Sequence, residues 1–194
     1  MCSRYWVDRA VDEELEQMNI GFHPDGAPMR HDIRPSEPAW IIGHGPESAE
    51  LRVVKDRWGY LSYDQKLIIN ARAESVFDRK MFREGAIHHR IAVPASGFYE
   101  WNAAKEKSSF QRPDGVLFMA GLADIFGGTE RFVIITTAAN DSMKPVHDRM
   151  PLILEKDQLE DWILDDGMTE KFLRQIPVNL DRQSDYEQMS LFDA

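Results

Sequence analysis

Short runs of apolar and β-branched residues fill the second half of the chain without alternating regularly with helices. The runs are bounded by turn-forming residues and span 90–94, 116–122, 132–137 and 152–154. Two helical segments, 156–164 and 169–176, come after these runs, whereas a parallel βαβ fold would place a helix between successive strands. The pattern predicts an α+β single domain with a mixed, partly barrel-like β-sheet core flanked by helices.

The first half adds a helix face formed by Val7, Val11, Leu15 and Met18 and two strands at 39–42 and 51–54. Ser75 is predicted to cap a helix that continues to about Glu84. The 194 residues can form one core without disulfides or a metal. We expect residues 1–180 to form a catalytic domain and residues 181–194 a flexible C-terminal tail.

Composition excludes several classes of protein. The net charge of −10 argues against a protein that coats nucleic acid nonspecifically. One cysteine rules out an internal disulfide and a cysteine-rich zinc site, and the adjacent pair His88-His89 lacks the spacing of a metal site. We expect no metal and no cofactor. No secretory leader or membrane-spanning run is apparent, so a cytoplasmic location is expected.

The single cysteine is the second residue, so removal of Met1 would leave a chain that begins with Cys2. Such a terminus carries an amine and a thiol on adjacent carbons. The amine can form a Schiff base with an aldehyde, and the thiol can then close a five-membered thiazolidine ring. The alternative is that Cys2 has no role, because terminal residues are often disordered.

Four polar segments interrupt apolar surroundings, at 2–5, 70–74, 94–101 and 147–151. Taken singly, each has a structural explanation: Asn70 could be a turn residue, Glu100 a surface carboxylate and His147 a hydrogen-bonded structural histidine. Functional residues favour such loops and strand ends, although most residues there have no function. The four segments together, in their order along the chain, are therefore more informative than any one of them.

Together the segments resemble the SOS-response-associated peptidase (SRAP) family, the abasic-site crosslinking proteins. The resemblance covers about residues 1–155, with the motifs in the family's order. The matching segments are Met1-Cys2-Ser3-Arg4-Tyr5, Trp58-Gly59, Asn70 to Glu74, Arg90 to Trp101, Thr136 to Asn140 and His147 to Pro151. Ser3 departs from the family's usual glycine.

The resemblance implies an abasic-site sensor that binds single-stranded DNA in the DNA damage response. It implies that the protein removes its own Met1 and forms a thiazolidine crosslink through Cys2, with crosslink reversal and abasic-site lyase activity as further reactions. By resemblance, Asn70 holds the new amine or the sugar, Glu100 is the general acid and base, and His147 hydrogen-bonds the sugar or phosphate.

The same resemblance assigns DNA contacts. Arg4, Arg72 and Arg149 would bind phosphates, and Arg34, at a position where the family commonly has a small residue, would add a phosphate contact or narrow the groove. Trp58, Tyr60 or Tyr63 could stack on neighbouring bases. Core packing is the alternative explanation for these aromatic residues, and it is favoured for Trp58.

The chain ends in a Gln-x-Ser-Leu-Phe pattern that resembles the peptide by which bacterial proteins bind the DNA polymerase sliding clamp. Gln188 would be the hydrogen-bonding anchor, and Leu191 and Phe192 would fill an apolar pocket of the clamp. The alternative is that Leu191 and Phe192 pack onto the domain. Binding to the clamp would place the protein at the nucleoid or replication fork of a bacterial cell.

Two other functions stay open at this point. A thiol peptidase acting on other proteins could use Cys2, His147 and Glu100, although a nucleophile at the extreme N-terminus suits combined amine and thiol chemistry better. A non-catalytic, clamp-associated adaptor could bind DNA without any covalent product. Blocking the amine while leaving the thiol free separates crosslinking from peptidase activity.

Overall fold

A computed structural model describes residues 2–24, 30–45 and 50–184. Its elements in chain order are β1 (Tyr5–Asp8), α1 (Arg9–Gln17), β2 (Arg30–Ile33), β3 (Pro38–His44), β4 (Leu51–Trp58), β5 (Tyr60–Leu61), β6 (Leu67–Ile68), β7 (Asn70–Arg72), α2 (Lys80–His88), β8 (Arg90–Ala95), β9 (Gly97–Trp101), β10 (Lys107–Gln111), β11 (Leu117–Phe126), β12 (Thr129–Ala138), β13 (Arg149–Pro151), β14 (Ile153–Leu154), α3 (Leu159–Leu164), α4 (Thr169–Leu173) and β15 (Asp181–Ser184). Single 3₁₀ turns lie at Ala73–Ser75, Lys156–Gln158 and Asp166–Met168.

Five strands close into a barrel. The order β12-β4-β3-β8-β11 returns to β12, because β11 and β12 also pair with each other. The β4–β12 pair is parallel and the other four are antiparallel. Beyond the end of β4, β7 continues alongside β12, and β13 pairs with the opposite edge of that strand. The predicted α+β class with a mixed, partly barrel-like core is confirmed.

A second, antiparallel sheet has the order β15-β10-β9-β1-β2. Its buried side chains, including Tyr5 and Phe98, share one apolar cluster with barrel residues such as Phe132 and Ile134. The other barrel face packs against the helices in a separate cluster that includes Phe82 and Trp162. None of the described helices has the length and apolar character needed to cross a membrane.

Two local predictions were wrong. Val7 belongs to β1 because α1 begins only at Arg9, where the Asp8 carboxylate accepts a hydrogen bond from the Ala10 amide at 3.0 Å and caps the helix. Ser75 caps no helix, since it ends a 3₁₀ turn and its carbonyl accepts the amides of Asp78 and Arg79. The helix α2, whose cap position is Arg79, therefore begins four residues later than predicted.

The ordered domain extends past the predicted limit at residue 180. Asp181–Ser184 forms β15, which pairs with β10 from Ser108 to Gln111. The hydroxyl oxygens of Ser108 and Ser184 lie 2.8 Å apart in a buried hydrogen bond. Backbone pairing thus stabilises a polar segment whose composition resembles a linker. The predicted clamp-binding residues Gln188, Leu191 and Phe192 lie outside the described residues.

Candidate active site

Three predicted catalytic residues meet where the second sheet covers one end of the barrel. The Asn70 side-chain amide, on β7, donates a hydrogen bond to the Cys2 carbonyl at 2.9 Å. Glu100, on β9, is buried and lies near enough for its charge to raise the pKa of the Cys2 thiol. Asn70 and Glu100, which are 68 and 98 positions from Cys2 in the sequence, therefore lie near its backbone and its side chain, respectively.

The pairing of β1 with β9 sets this arrangement. Tyr5 lies opposite Phe98, and the Arg4 carbonyl accepts the Tyr99 amide at 2.9 Å. Gly97 lies opposite Trp6, and a Cβ atom at Gly97 would overlap the Trp6 indole. The strand that carries Glu100 can approach the N-terminal strand this closely because Gly97 has no side chain.

Burial keeps the Cys2 thiol protonated. Cys2 is 0% exposed, and burial, with a smaller contribution from the Glu100 charge, raises its pKa from 9.0 to about 12. The thiol sulfur lies 4.0 Å from the Arg4 carbonyl. Since a thiolate is the reactive form of cysteine, Cys2 needs a nearby base to accept its proton as it reacts.

Two buried polar atoms face the surroundings of Cys2 with no hydrogen-bond partner within the described ranges: Asn70 Oδ1 and the Tyr5 hydroxyl. Burial, then the Cys2 and Glu37 charges, raise the pKa of Tyr5 well above 10. Buried polar atoms normally have a partner, so both atoms are available to a bound group. Sequence reasoning missed Tyr5, although it belongs to the N-terminal motif.

His147 lies just before β13, at the end of the turn that follows β12. Its Nδ1 accepts the Arg149 amide at 2.9 Å, which leaves the proton of the neutral ring on Nε2. The Asp148 carboxylate also lies 2.9 Å from Nδ1. Protonation of Nδ1 would therefore exchange the Arg149 hydrogen bond for an ion pair with Asp148.

The predicted phosphate ligands Arg72 and Arg149 lie at the same end of the barrel. Arg72 is exposed and lies opposite Thr136 of β12. Arg149 donates to both carboxylate oxygens of Glu74, at 2.6 and 2.9 Å, and to the Thr136 carbonyl at 2.7 Å. Hydrogen bonding to Arg149 lowers the pKa of Glu74. Sequence reasoning gave Glu74 no role, although it belongs to the segment that begins at Asn70.

Arg4 takes part in a cluster that the sequence did not reveal. Its Nε donates to the Asp32 carboxylate at 2.9 Å, and its guanidinium lies 5.4 Å from the centre of the Tyr99 ring. Arg30 covers the Trp6 ring at 4.3 Å and donates to the Tyr99 hydroxyl. The alternation of β1 and β9 places these side chains on the face opposite Tyr5 and Glu100.

The remaining two predicted DNA contacts have different outcomes. Arg34 is exposed and directly follows Ile33, the residue opposite Tyr5, so it lies across from Arg4. Trp58 is 0% exposed, packs between Tyr5 and Phe132, and donates from Nε1 to the Ile69 carbonyl at 3.0 Å. The structure agrees with the core-packing explanation favoured for Trp58 and contradicts its alternative assignment as a base-stacking DNA contact, because the ring is fully buried. Tyr63, in contrast, is fully exposed.

Within the described residues, no group of three or more His, Cys, Asp or Glu side chains could hold a metal ion.

Comparison with known proteins identifies the family. The family model for SOS response associated peptidases (SRAP) matches residues 1–190. The chain belongs to the SRAP family.

Several SRAP relatives have names that refer to abasic sites. The chain is 29% identical to the abasic site processing protein YoaM of Bacillus subtilis over 215 aligned positions, which cover all of this chain and 93% of the relative. It is 28% identical to the abasic site processing protein YedK of Escherichia coli, with 84% of this chain and 79% of the relative covered.

Two solved structures have the same fold. A protein from Bacteroides thetaiotaomicron matches with a TM-score of 0.77 and 23% identity, over 94% of this chain and 91% of its own. A phage-related protein from Bordetella bronchiseptica matches with a TM-score of 0.78 and 24% identity, over 94% of this chain and 93% of its own. At these identities the likeness concerns the fold alone.

Proposed function

We propose that this protein processes abasic sites in single-stranded DNA by forming a covalent link through Cys2. The observation that carries the proposal is the anchoring of the Cys2 backbone by Asn70 beside the buried Glu100. The Asn70 contact fixes the Cys2 backbone and Glu100 lies near the thiol, which supports chemistry that uses both the backbone amine and the thiol of a terminal cysteine. Membership of the SRAP family and the names of the relatives support the same function.

The first step is hydrolysis of the Met1–Cys2 peptide bond, in which water supplies the hydroxyl of the released methionine and a proton of the new amine. The chain thereby cleaves itself, and the free amine then attacks the ring-opened aldehyde carbon of an abasic site. Loss of water gives a Schiff base. Asn70 Oδ1, which is buried without a partner among the described residues, would accept a hydrogen bond from that amine.

In the second step the Cys2 sulfur adds to the Schiff-base carbon and a proton reaches the nitrogen, which completes the thiazolidine ring. Because the thiol has a pKa of about 12, it must transfer its proton as the bond forms. Glu100 is the nearby carboxylate and serves as the general base, after acting as the acid that opens the sugar ring. The same steps in reverse release the DNA, and elimination from the Schiff base would give lyase activity.

The DNA strand would lie along the end of the barrel that carries Arg72 and Arg149, with Arg4 and Arg34 at the neighbouring edge of the second sheet. Arginine binds phosphate oxygens bidentately, so these side chains suit a nucleic-acid backbone. Arg149 can exchange Glu74 for a phosphate while it keeps the Thr136 carbonyl. His147 Nε2 provides a donor for the sugar or phosphate.

The test uses protein released from a cleavable fusion so that its chain begins at Cys2. It is incubated with a single-stranded oligonucleotide that contains one abasic site, and the products are separated on a denaturing gel. We expect a slower band that needs no reductant. Cys2→Ala should abolish this band, Glu100→Gln should slow its appearance, and the charge-matched surface variant Glu16→Gln should leave it unchanged, because Glu16 is exposed on α1.

Cys2→Ser separates the two covalent steps, since it keeps the amine and removes the thiol. We expect a link to this variant only after borohydride reduction of the Schiff base. The absence of any band in protein whose N-terminal Cys2 is verified by mass spectrometry would refute the proposal. A thiol peptidase would retain activity after selective blocking of the amine, and an adaptor would bind DNA equally well as Cys2→Ala.

The tail adds a proposed partner. We infer from the Gln-x-Ser-Leu-Phe pattern that Gln188, Leu191 and Phe192 bind the sliding clamp and localise the protein at replication forks, where single-stranded abasic sites arise. Purified clamp should retain the full chain and fail to retain a chain lacking residues 188–194. Equal retention of both chains would contradict this part of the proposal.

A further inference from the structure

The barrel end away from Cys2 contains a cavity of about 810 Å³. Along β12, Glu130 lies at the cavity and Thr136 lies beside Arg149 at the other end. They are six positions apart on an extended strand, which corresponds to roughly 20 Å. The cavity is therefore distinct from the candidate active site, and a ligand bound in it is independent of the proposed function.

Two carboxylates lie side by side at this end of the barrel. The parallel register places Trp58 opposite Phe132, so that two residues earlier Asp56 lies beside Glu130 on the same, inward face. Both residues line the cavity. Asp56 is only 6% exposed, and its Oδ1 has no hydrogen-bond partner in the described part of the chain. Adjacent like charges repel, so this pair is poorly satisfied by the protein itself.

The other charged groups around the cavity do not neutralise this pair. Arg52, two residues before Val54 on the same face, is the one lining arginine close enough to lower the pKa of Asp56, and it is exposed. Arg90 is already bound to Asp166 at 2.7 Å and to main-chain carbonyls. Asp124 also lines the cavity and adds a third carboxylate.

Three histidines line one side of the cavity. His44 contacts the Gly45 carbonyl through Nδ1 at 2.8 Å and the His88 carbonyl through Nε2 at 3.2 Å. His88 and His89 complete this side of the wall. Apart from the Arg90–Asp166 pair and the histidines, the charged groups that line the cavity are three carboxylates, those of Asp56, Asp124 and Glu130, and one guanidinium, that of Arg52.

The wall between the charged groups is apolar. Ile41, Val54, Ile91, Ile125 and Ile163 line it. A carboxylate pair at one side of an aliphatic cavity matches a molecule with a cationic head and a short hydrocarbon chain. We propose that this cavity binds an organic cation, an ammonium or guanidinium group on a short aliphatic chain, with Asp56 and Glu130 as its ligands.

The probe is agmatine, which carries a guanidinium and an ammonium on a four-carbon chain, and binding to the full-length protein is measured by isothermal titration calorimetry at pH 7.5. The neutral 1,4-butanediol serves as the uncharged comparison. We expect agmatine to bind and the diol to give no measurable heat. Asp56→Asn and Glu130→Gln should each weaken binding about tenfold or more, because each removes one charge of the pair.

Arg52→Gln should have the opposite effect on agmatine affinity. It removes the cation that competes for the carboxylates, so binding should become severalfold tighter. Glu130 and Arg52 are exposed, so these two variants are expected to fold even if Asp56→Asn does not. Glu16→Gln, on α1, is the charge-matched control and should bind like the unmodified protein. Melting temperatures of all variants verify that each is folded.

The pH dependence supplies an independent readout. Burial, and then the Glu130 charge, raise the pKa of Asp56 from 3.8 to about 6, while Arg52 lowers it. Ionised Asp56 is the form that binds a cation, so affinity should fall about tenfold from pH 7 to pH 5. Protonation of Glu130, Asp124, His44, His88 and His89 acts in the same direction.

A second arm distinguishes the source of the cation. A capped Gly-Arg-Gly peptide presents the same guanidinium as a protein side chain, so tighter binding of the peptide indicates a protein ligand and tighter binding of agmatine a free amine. Equal binding of agmatine and butanediol would overturn the proposal. So would unchanged agmatine affinity in folded Glu130→Gln, or affinity that does not change between pH 5 and pH 7.

Discussion

Replacing Glu100 by glutamine should move two properties of Cys2 in opposite directions. The substitution removes a negative charge that helps to raise the pKa of the thiol, so the thiol should ionise more easily. It also removes the group proposed to accept the thiol proton and to open the sugar ring. Thiol alkylation should therefore become faster, whereas crosslinking to abasic DNA should become slower.

The size of each change follows from the structure. With a pKa of about 12, roughly one Cys2 thiol in ten thousand is ionised at pH 8, against about one in ten at the reference value of 9.0. Burial is the larger cause and stays in Glu100→Gln, so the pKa should fall but remain above 9.0. Loss of a general acid–base group costs about 10²–10⁴-fold in rate, and we expect crosslinking to slow within that range.

Iodoacetamide labelling followed by intact-mass spectrometry measures thiol reactivity in protein that begins at Cys2. Gel assays at matched pH measure crosslinking in protein that begins at Cys2, which removes Met1 cleavage as a confounding step. Parallel changes, with both rates raised or both lowered, would refute the reasoning. So would labelling of the unmodified protein at the rate of an exposed cysteine, because the thiol would then not be buried and protonated.

Three further predictions concern other residues. Asn70→Ala should slow crosslinking about fivefold, which corresponds to the loss of about 1 kcal/mol from one hydrogen bond to Cys2. Asn70→Asp should slow crosslinking more, because a carboxylate would face the Cys2 carbonyl. Equal single-turnover rates for the two variants would contradict this prediction. Trp58→Phe should lower the free energy of unfolding by about 3 kcal/mol through lost packing and an unpaired Ile69 carbonyl, while DNA affinity of the folded protein stays unchanged in a fluorescence anisotropy titration. The raised pKa of Asp56 means that its stability contribution is present below pH 3.8 and is lost as the pH rises through about 6. Urea denaturation at pH 4.5 and 7.5 should therefore show that the free energy of unfolding of Asp56→Asn, relative to that of the unmodified protein, rises by at most about 3 kcal/mol at the higher pH. A pH-independent difference between the two proteins would exclude this linkage.

Hydrophobic patterning predicted the sheet core well because the barrel strands are buried. The runs at 90–94, 116–122 and 132–137 correspond to β8, β11 and β12, although β12 begins three residues earlier and β11 continues to Phe126. The added residues lie in the β11–β12 hairpin, where backbone pairing continues past the apolar segment. Pairing of this kind depends on the neighbouring strand and leaves little trace in local composition.

The limits of the prediction are clearest where tertiary packing decides the role of a side chain. The structure brings together Cys2, Asn70 and Glu100, which the motifs had grouped, but the order of the motifs could not show that the Trp58 ring is fully buried beside Tyr5 and Phe132. A tryptophan can stack equally well on a base or on a core ring. Only the three-dimensional arrangement distinguishes the two.

Long-range ion pairs were also invisible in the sequence. Arg149 and Glu74 are 75 residues apart, and they meet because β7 and β13 flank the same strand. The Arg4–Asp32 pair likewise depends on the register of β1 with β2. The same register effect placed Asp56 beside Glu130, at positions that showed no motif.

The pairing of β15 with β10 fixes how far the tail can reach. Ser184 lies opposite Ser108, which in turn lies opposite Glu100, so the last described residue is two strands, or about 10 Å, from the Glu100 strand position. Four residues from Ser184 to Gln188 span at most about 14 Å. A partner that binds Gln188 would thus be held within about 25 Å of the Glu100 strand position beside Cys2. Tethering over such a short span gives an effective concentration in the millimolar range, which would make the protein and a clamp-bound DNA strand near neighbours.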